Sequence, residues 1–422
     1  MTDIKIKINH FGPLNNITLH WAPFMVLTGH SNLGKSYANY LIYYVMSGLL
    51  NESFREMLET KMPNSKDYGA FLISISEIEA YLNNNVQDYM RSFLGDDILE
   101  CDVEIYIKSD VEEFTCRYDK IKIEPTVSDM TFDDIYSISM NDEKLVNFPR
   151  FELIIYALNY LIIRSLFGDS EYYIREILLP PGRGAFVGEN YTTKESKSSS
   201  MNMYNEYFND YDISQKKEDF VKEENDDIYN VISKLVGGEF VLEKSKQYII
   251  LSTGEKISLT AAASSIKEIS PLLLYFLNKK RDNRFSYCLE EPEAHLHPCS
   301  QIKIADLIAC FLNRGNAFQI TTHSDYFLQR INQLIKLGDI RKADEAAFEK
   351  LCDERGLLKS SYIDRSKVKA YFFHKNAEGK VEVEDMQLTQ DGISYKTFYD
   401  ITRDLNEREE YINEQLYKLN EK

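Results

Sequence analysis

The chain has 422 residues, of which 44% are hydrophobic and 27% charged, and this balance excludes a disordered chain or a small scaffold held by disulfides. At roughly 100 to 200 residues per domain, it is long enough for two or three sub-structures. The formal net charge of -18 argues against a surface generally covered with phosphate-binding lysines and arginines, although a local basic groove stays open.

Cysteine use and the first residues favour a reduced, cytoplasmic protein. The six cysteines form no CxxC pair, and the start MTDIKIKINH lacks the apolar core of a signal peptide. The longest apolar run, Phe151 to Phe167, is interrupted by Asn159 and Arg164 and is shorter than the ~20 residues that a membrane span needs. We therefore expect a buried helix there and no membrane partner.

The first 45 residues predict a strand pair, a buried strand and a helix. Polar and apolar residues alternate from Asp3 to His20 around a break at Gly12-Pro13, and a continuous apolar run follows from Phe24 to Leu27. After Lys35, apolar groups recur at helical spacing up to Val45. The segment TGHSNLGKS therefore lies between a predicted buried strand and a predicted helix.

That segment matches the P-loop pattern G-x-x-x-x-G-K-[ST] at Gly29, Gly34, Lys35 and Ser36, with Asn32 inside the loop. In such a loop, backbone N–H groups surround phosphates, the lysine reaches the β- and γ-phosphates, and the serine hydroxyl is a ligand of Mg²⁺. A chance turn ending in Lys-Ser is the alternative. The strand before the loop and the helix after it favour a phosphate site.

Residues 51–229 are predicted to be an insertion of mixed type. Helical patterns occur near Ser74 to Phe93 and in the run Phe151 to Phe167, while CDVEIYIKSD and EEFTCRYDKIKIEP predict antiparallel strands between them. The stretch 191–227 is polar with few aliphatic residues, which predicts a mobile segment. In LLPPGRGAFVG, Arg183 lies in a loop bounded by Pro and Gly, for which a plain surface loop is one interpretation.

Regular structure is expected again from residue 230. The stretch EFVLEKSKQYIILSTGEKISLT predicts a hairpin that turns at Thr253-Gly254, and SSIKEISPLLLYFLNKK predicts a helix. The strands FSYCLEE and AFQITTHS flank a helix that begins near Cys299, and VKAYFFHKNAEGKVEVEDMQ predicts a last hairpin before a charged helix that runs to Lys422. The predicted divisions of the chain are 1–50, 51–229, 230–335 and 336–422.

Two adjacent carboxylates, Glu290 and Glu291, end the strand FSYCLEE. Side-chain alternation sends them to different sides of the strand end, so that one can hold the water shell of Mg²⁺ while the other faces an attacking water. A polar strand end that leads into a turn at Pro292 would not explain two charges on an otherwise buried strand.

His323 lies at the end of the next buried strand, AFQITTHS. A lone histidine is more often structural, but beside a P-loop and a carboxylate strand it becomes a candidate sensor of the γ-phosphate. His295, His297 and Cys299 fall within five residues and raise the alternative of zinc. Because no second ligand pair with suitable spacing follows them, the sequence does not favour a zinc site.

The order of P-loop, long insertion, serine-containing helix, EEPEAHLHP and TTHS resembles the ABC-type ATPase heads of the OLD, RecF and SMC group. It is most similar to the stand-alone AAA-family ATPases of phage-defence systems such as PARIS, Septu and retrons. The resemblance covers roughly residues 1–50 and 230–330 and is weak between them. It implies an α/β P-loop NTPase fold of the ABC/SMC-head type, with a mixed sheet, an antiparallel β subdomain and a helical insertion, and it implies ATP and Mg²⁺ as ligands.

The resemblance also implies roles for the residues of the site. Glu290 would be the Walker B acid that holds Mg²⁺ together with Ser36, Glu291 would be the catalytic base, and His323 would be the switch histidine. The segment EAHLHP matches the D-loop, which touches a second subunit. No glutamine of a Q-loop is identified.

Two further positions follow from the same resemblance. Ser264 and Ser265 begin the helix that stands in the place of the signature helix, where they would face the γ-phosphate of a second subunit. No glycine follows them, which departs from the usual signature and weakens this assignment. Arg183 is similar to the arginine of a PA-x-R element that lies near the nucleotide or the dimer face.

The functional prediction is an ATP-binding and hydrolysing switch that works as a homodimer or larger homo-oligomer in bacterial anti-phage defence. Only about 90 residues follow the switch strand, without the acidic metal cluster of a nuclease, so the resemblance implies a separate nuclease or toxin effector. The alternative is a DNA-repair or chromosome-maintenance ATPase of the RecF or SMC kind, and DNA remains an open partner. A transporter subunit fits poorly, because TAAASSIKEIS lacks the L-S-G-G-Q signature.

Overall fold

A computed structural model of the chain describes residues 2–121, 135–141, 143–167, 173–187, 203–207, 227–243, 246–277, 284–394 and 396–420. Its strands, in chain order, are β1 (Asp3–Phe11), β2 (Leu14–His20), β3 (Phe24–Gly29), β4 (Tyr68–Ser74), β5 (Cys101–Lys108), β6 (Glu113–Ile121), β7 (Ile135–Met140), β8 (Glu143–Pro149), β9 (Tyr173–Leu179), β10 (Gly238–Glu243), β11 (Lys246–Leu251), β12 (Lys256–Ser258), β13 (Arg284–Glu290), β14 (Ala317–Thr322), β15 (Val368–Lys375) and β16 (Val381–Asp385).

The helices account for most of the remaining described residues. They are α1 (Lys35–Leu50), α2 (Glu52–Lys61), α3 (Ile75–Leu94), α4 (Glu152–Phe167), α5 (Asp227–Val236), α6 (Ser264–Leu277), α7 (Pro298–Asn313), α8 (Asp325–Ala343), α9 (Glu345–Arg355) and α10 (Lys396–Asn420). The predicted buried helix is α4, in which ten of the sixteen residues are buried. Among the described residues, we find no helix whose length and apolar character would let it cross a membrane.

A six-stranded mixed sheet with the order β16-β15-β3-β14-β13-β9 organises the protein. All of its strands are parallel except β16, which pairs antiparallel with β15. Every residue of β3 is buried, because Phe24 and Val26 pack into one apolar cluster while Met25 and Leu27 pack into another on the opposite face. The predicted α/β fold with a mixed sheet is confirmed.

Parallel pairing brings the ends of three strands together. Glu290 of β13 pairs with Thr321 of β14, which in turn pairs with Leu27 of β3. The P-loop, the carboxylates and the His323 turn therefore follow their strands at one edge of the sheet, where ligands bind in open α/β sheets.

The predicted antiparallel strands are present. The β1–β2 hairpin turns at Gly12-Pro13 as expected. The two segments predicted to be antiparallel strands are β5, which pairs antiparallel with β1, and β6, which pairs antiparallel with β4 and β7. Alternation of side chains predicts a half-buried strand but carries no information about its partner, so the sequence did not specify these pairings.

The C-terminal half contains one strand more than predicted before the Thr253-Gly254 turn and one strand more in the main sheet. β11 and β12 turn at Thr253-Gly254 as expected, but a third strand, β10, precedes them through residues 244–245, which lie outside the described residues. The last predicted hairpin is β15–β16, and β15 also pairs in parallel with β3. The central sheet thus extends across the predicted boundary between 335 and 336.

Part of the segment predicted to be mobile is packed. Residues 203–207 are helical, and Met203 and Tyr207 are buried, so the expectation of mobility is wrong for these five residues. The rest of the predicted segment before α5, residues 191–202 and 208–226, lies outside the described residues.

Gly29, at the end of β3, cannot be replaced without a steric clash. Its φ is +126°, and a Cβ at this position would meet the carbonyl oxygen of Phe373 in β15. Because that oxygen belongs to a backbone held in the sheet, Gly29→Ala is expected to lower the free energy of unfolding by about 3 kcal/mol or more. Denaturant unfolding measures this loss.

Gly254→Ala is the matched control. Gly254 also has a positive φ, of +85°, but no described atom lies within 4 Å of the Cβ position. This variant should lose only about 1 kcal/mol, the cost of the left-handed backbone. Equal losses of unfolding free energy in Gly29→Ala and Gly254→Ala would contradict the expected clash between β3 and β15.

Candidate functional site

The P-loop joins β3 to α1 through a backbone that needs left-handed positions. The φ angles are +126° at Gly29, +61° at Asn32 and +88° at Gly34. Gly34 is the N-cap of α1 and supplies no side chain for capping, so the first N–H groups of the helix remain available to an anion. The predicted loop between a strand and a helix is therefore present.

The Lys35 side chain is folded back into this loop. Its Nζ donates to the carbonyl oxygens of Gly29 at 3.1 Å and His30 at 2.6 Å, and the residue is only 6% exposed. Burial lowers the pKa of Lys35 to about 8, although the carboxylates of Glu291 and Glu290 act in the opposite direction. A buried cation thus stands at the centre of the loop.

This lowered pKa predicts a pH dependence of stability. The folded chain loses the Lys35 proton near pH 8, whereas the unfolded chain keeps it up to about 10.5, so the unfolded state binds more protons between these values. The free energy of unfolding should therefore rise with pH across this window, by up to about 3 kcal/mol from Lys35 alone. Denaturant unfolding between pH 7.5 and 10 should show this rise in the wild type but not in Lys35→Met, and parallel curves would contradict it.

Glu290 lies at the end of β13 and is 2% exposed. Its Oε2 accepts hydrogen bonds from the Ser36 hydroxyl at 2.6 Å and the Thr321 hydroxyl at 2.9 Å, and its Oε1 accepts one from the Asn39 amide at 2.7 Å. Burial raises the pKa of Glu290, and these three donors oppose the shift. The structure therefore brings together the two predicted metal ligands, Ser36 and Glu290.

Two partners of Glu290 were missed by the sequence reasoning. Asn39 is one helical turn after Lys35 on α1, and Thr321 directly precedes Thr322 and His323. Each is a polar residue that is at most 1% exposed within an apolar element. This feature is the signal that could have identified them, because buried polar groups are almost always hydrogen-bonded.

Glu291 follows the end of β13 and has a φ of +43°, so strand alternation does not set the direction of its side chain. Its side chain is 44% exposed, and its Oε1 lies 4.0 Å from Nε2 of His323. Burial lowers the pKa of His323, and the charge of Lys35 lowers it further, so the imidazole is neutral at pH 7. One carboxylate is thus enclosed in the protein, while the other shares an open site with a neutral histidine.

A third carboxylate, Glu293, holds the histidine turn and was also missed. Its Oε1 accepts hydrogen bonds from the Thr322 hydroxyl and the His323 backbone N–H, both at 2.7 Å. The residue is 8% exposed, and burial raises its pKa. Glu293 therefore ties the turn after β13 to the end of β14 and fixes the backbone of His323.

The first of the two predicted signature serines, Ser264, lines a cavity at the start of α6. Helix α6 begins at Ser264 as expected, and Ser264 lines an open cavity of about 590 Å³ together with Gly182, Lys267 and His295. None of the described residues that line this cavity belongs to the P-loop. Ser264 and Ser265 remain predicted contacts to a second subunit.

Arg183 does not lie in a surface loop. It is fully buried, and its guanidinium donates to the backbone oxygens of Glu268 and Glu290 at 2.9 and 2.7 Å. The expected surface loop is therefore wrong. Its place near the nucleotide or the dimer face stays a prediction.

The histidines that raised the zinc alternative lie at the start of α7. Nδ1 of His297 accepts a hydrogen bond from the Cys299 N–H at 3.3 Å, and Pro298 occupies the first turn. His297 is therefore the N-cap of this helix. His295, His297 and Cys299 are all exposed.

One family model matches part of the chain that includes the two carboxylates. A family model described as an AAA ATPase domain matches residues 189–328, about a third of the chain. The matched region contains α6, both carboxylates and His323, but not the P-loop. The search of curated proteins returned no match.

Three solved structures similar to the chain are SMC head domains. One, bound to the C-winged helix domain of ScpA, is 12% identical with a TM-score of 0.36 and covers 92% of this chain and 98% of that one. The Thermotoga maritima SMC head is 11% identical with a TM-score of 0.35, covering 92% and 100%. The Pyrococcus furiosus Smc head with an extended coiled coil, bound to the C-terminal domain of ScpA, is 12% identical with a TM-score of 0.38, covering 96% and 100%. At such TM-scores, the fold of this chain rests on its own strand order.

Proposed function

We propose that the protein binds ATP with Mg²⁺, hydrolyses it at this site, and works as a nucleotide-dependent switch. The observation that carries the proposal is the direct contact between Ser36 of the P-loop and Glu290, residues 254 positions apart in the sequence. Together with Lys35 and the open pair of Glu291 and His323, this contact provides a phosphate loop, a metal position and a candidate base. The primary test is ATP hydrolysis by the purified chain with Mg²⁺, and its absence would overturn the proposal.

Ser36 and Glu290 fit a magnesium site. Hydroxyl and carboxylate oxygens are the ligands that Mg²⁺ prefers, and here they lie 2.6 Å apart and are held by Asn39 and Thr321. When bound, the ion would supply positive charge that neutralises the charge on the β- and γ-phosphate oxygens. The ion would also pair with the buried Glu290 carboxylate, which is otherwise costly to ionise.

The remaining groups divide the chemistry among them. Lys35 provides positive charge to the phosphates, and the N–H groups at the start of α1 donate to phosphate oxygens. Glu291 is exposed enough to receive a water molecule, orient it and accept its proton. The neutral His323 lies beside Glu291 and is able to donate a hydrogen bond to the γ-phosphate or to the attacking water.

Within this general function, we favour a switch that acts on a separate effector in anti-phage defence. The net charge of -18 supports this choice over a head that acts directly on DNA. The alternative makes a different prediction, namely that DNA stimulates the ATPase and that salt removes the stimulation. Purification with the products of neighbouring genes would identify an effector.

A second subunit is expected to complete the site. In the predicted D-loop, His295 and His297 are exposed, and His295 lines a cavity together with Ser264 of the predicted signature helix, where a partner would contact it. We expect a homodimer or larger homo-oligomer in the presence of Mg²⁺ and ATP, weakened by His295→Glu and unaffected by Ile98→Glu, a change at a surface position that is 87% exposed. Sedimentation analysis measures the assembly. A monomer at all concentrations, with and without Mg²⁺ and ATP, would rule it out.

A further inference from the structure

Arg183 connects three separate segments behind the proposed catalytic carboxylates. Its Nε donates to the Glu268 carbonyl of α6 at 2.9 Å, and its Nη1 donates to the Pro180 and Glu290 carbonyls at 3.2 and 2.7 Å. Nη2 lies 3.5 Å from the Glu291 carbonyl, and the Glu268 carboxylate, 3.6 Å from Nη1, balances the buried charge. A planar group with five donors suits such an array of carbonyl oxygens.

The peptide that Arg183 holds has an uncommon backbone. Glu291 has a φ of +43°, which a residue with a long side chain rarely adopts without support. Both groups of the peptide that joins Glu290 to Glu291 are hydrogen-bonded. Arg183 donates to the Glu290 carbonyl, and the Glu291 N–H donates to the hydroxyl and carbonyl oxygens of Thr321. These contacts hold the conformation that directs the Glu291 side chain into the open site.

Arg183 itself accepts a hydrogen bond from residues 203–207, the packed helical segment of the predicted insertion. The Tyr207 hydroxyl donates to the Arg183 carbonyl at 3.3 Å, and Tyr207 is 1% exposed. In the same five-residue helical segment, the Glu206 carboxylate accepts hydrogen bonds from the hydroxyls of Tyr43 at 2.7 Å and Tyr89 at 3.2 Å. Residues 203–207 thus contact both α1, the helix that follows the P-loop, and Arg183, which donates to the Glu290 carbonyl.

The Arg183 turn also packs closely against α6 at Gly184. The Gly184 N–H donates to the Glu268 carboxylate at 2.9 Å, and a Cβ on Gly184 would lie 2.7 Å from the Glu268 backbone nitrogen. Because Arg183 donates to the Glu290 carbonyl, a displacement of Arg183 at Tyr207 is expected to reach the backbone of Glu290 and Glu291.

We propose that Arg183 and Tyr207 are positioning residues for Glu291, and that the docking of residues 203–207 controls whether this base is aligned for hydrolysis. The inference rests on the proposed ATPase activity and extends it to regulation by the insertion. Release of the segment lowers the turnover of bound ATP without removing the groups that bind it. A partner that displaces residues 203–207 would act as an inhibitor of hydrolysis.

Tyr207→Phe tests the proposal, because it removes one hydroxyl and keeps the ring in the core. We expect kcat to fall by about tenfold, with unchanged KM and unchanged calorimetric affinity for ATP, because misplacing a catalytic group by a fraction of an ångström is enough for such a loss. Arg183→Lys keeps the charge but loses the planar array of donors, and it should lose on the order of 10²-fold in kcat.

The matched control is Tyr44→Phe. The Tyr44 hydroxyl also donates to a backbone carbonyl inside the core, at 2.8 Å, but its acceptor is Leu82 of α3 and not Arg183. Both variants should lose similar amounts of thermal stability, while only Tyr207→Phe lowers kcat. Equal kcat values for the two variants would overturn the positioning role while leaving the ATPase proposal intact.

A double-mutant cycle tests whether the lower kcat of Tyr207→Phe arises through Glu291. If Tyr207 acts through Glu291, then Tyr207→Phe should have no further effect on the residual rate of the Glu291→Gln variant. A full tenfold loss in that background would overturn the inference. A wild-type chain without any ATP hydrolysis would instead overturn the proposed function on which it rests.

Discussion

Replacing Glu291 with Gln is expected to lower the rate of ATP hydrolysis by on the order of 10² or more while ATP remains bound. The substitution keeps the shape of the side chain and its exposed position beside His323, but it removes the group that accepts the proton of the attacking water. Lys35, Ser36 and Glu290 still bind the nucleotide with its metal, because the hydrogen bonds that hold them are made to His30 and to one another and not to Glu291. The variant should accumulate in an ATP-bound, tightly associated form.

Glu290→Gln is the matched control, since it changes the neighbouring carboxylate in the same way. Glu290 accepts hydrogen bonds from Ser36, Asn39 and Thr321, and a neutral amide at this position loses the charge for Mg²⁺ and presents N–H donors to groups that also donate. We expect weaker Mg²⁺-dependent binding and no accumulated assembly. Measurements of turnover and of mass would distinguish the two variants. Parental turnover in Glu291→Gln, with accumulation only in Glu290→Gln, would reverse the assignment.

Lys35→Ala should lower the affinity for ATP by on the order of 10²-fold or more, because hydrogen bonds from a charged donor to phosphate are worth about 1.5–3 kcal/mol each. The fold should persist, since Lys35 is a buried cation whose own burial is unfavourable and whose partners are loop carbonyls. Calorimetric titration measures the affinity, and circular dichroism checks the fold.

Lys336→Ala provides the control for the loss of one positive charge. Lys336 pairs with Asp391 on the surface, with 47% of its side chain exposed. Its removal should leave ATP affinity unchanged. If Lys35→Ala also binds ATP as tightly as the wild type, then the loop between β3 and α1 is not a phosphate site.

The sequence was sufficient to find the residues whose chemistry is local. A P-loop is encoded within nine consecutive residues, and Glu290 with Glu291 stands at the end of an apolar strand, so spacing and context predict the positions that the structure then brings together. Glu290 is buried and Glu291 is partly exposed, but the φ of +43° at Glu291 is not the extended backbone on which strand alternation rests.

Arg183 could not be placed in this way, because its role depends on contacts that are distant in sequence. The Pro and Gly residues around it are typical of surface loops, yet its donors reach carbonyls 85 and 107 positions away. The same reasoning applies to Asn39 and Glu293, whose partners lie on other elements. Composition and periodicity describe a residue's own element but not the group that it meets across the core.

The pairing partners of β5 and β15 could not be predicted from the sequence for a related reason. The alternation in β5 and the apolar run in β15 identify strands, but pairing with β1 and β3 is decided by the packing of the whole sheet. Predicted divisions at fixed residue numbers therefore could not anticipate sheets that are assembled from both ends of the chain.

The position of β3 between β14 and β15 determines when this protein can fold during its synthesis. Leu27 pairs with Thr321 on one side and Tyr371 on the other, so the strand that leads into the P-loop must wait for residues almost at the end of the chain. At ribosomal speeds of about 5–20 residues per second, the wait is roughly 17 to 70 s. Throughout it, the apolar segment Phe24–Gly29 lacks both neighbours and is open to contact with other nascent chains. The strand order of the central sheet therefore leads us to expect that the nascent chain needs a chaperone until β15 has been synthesised.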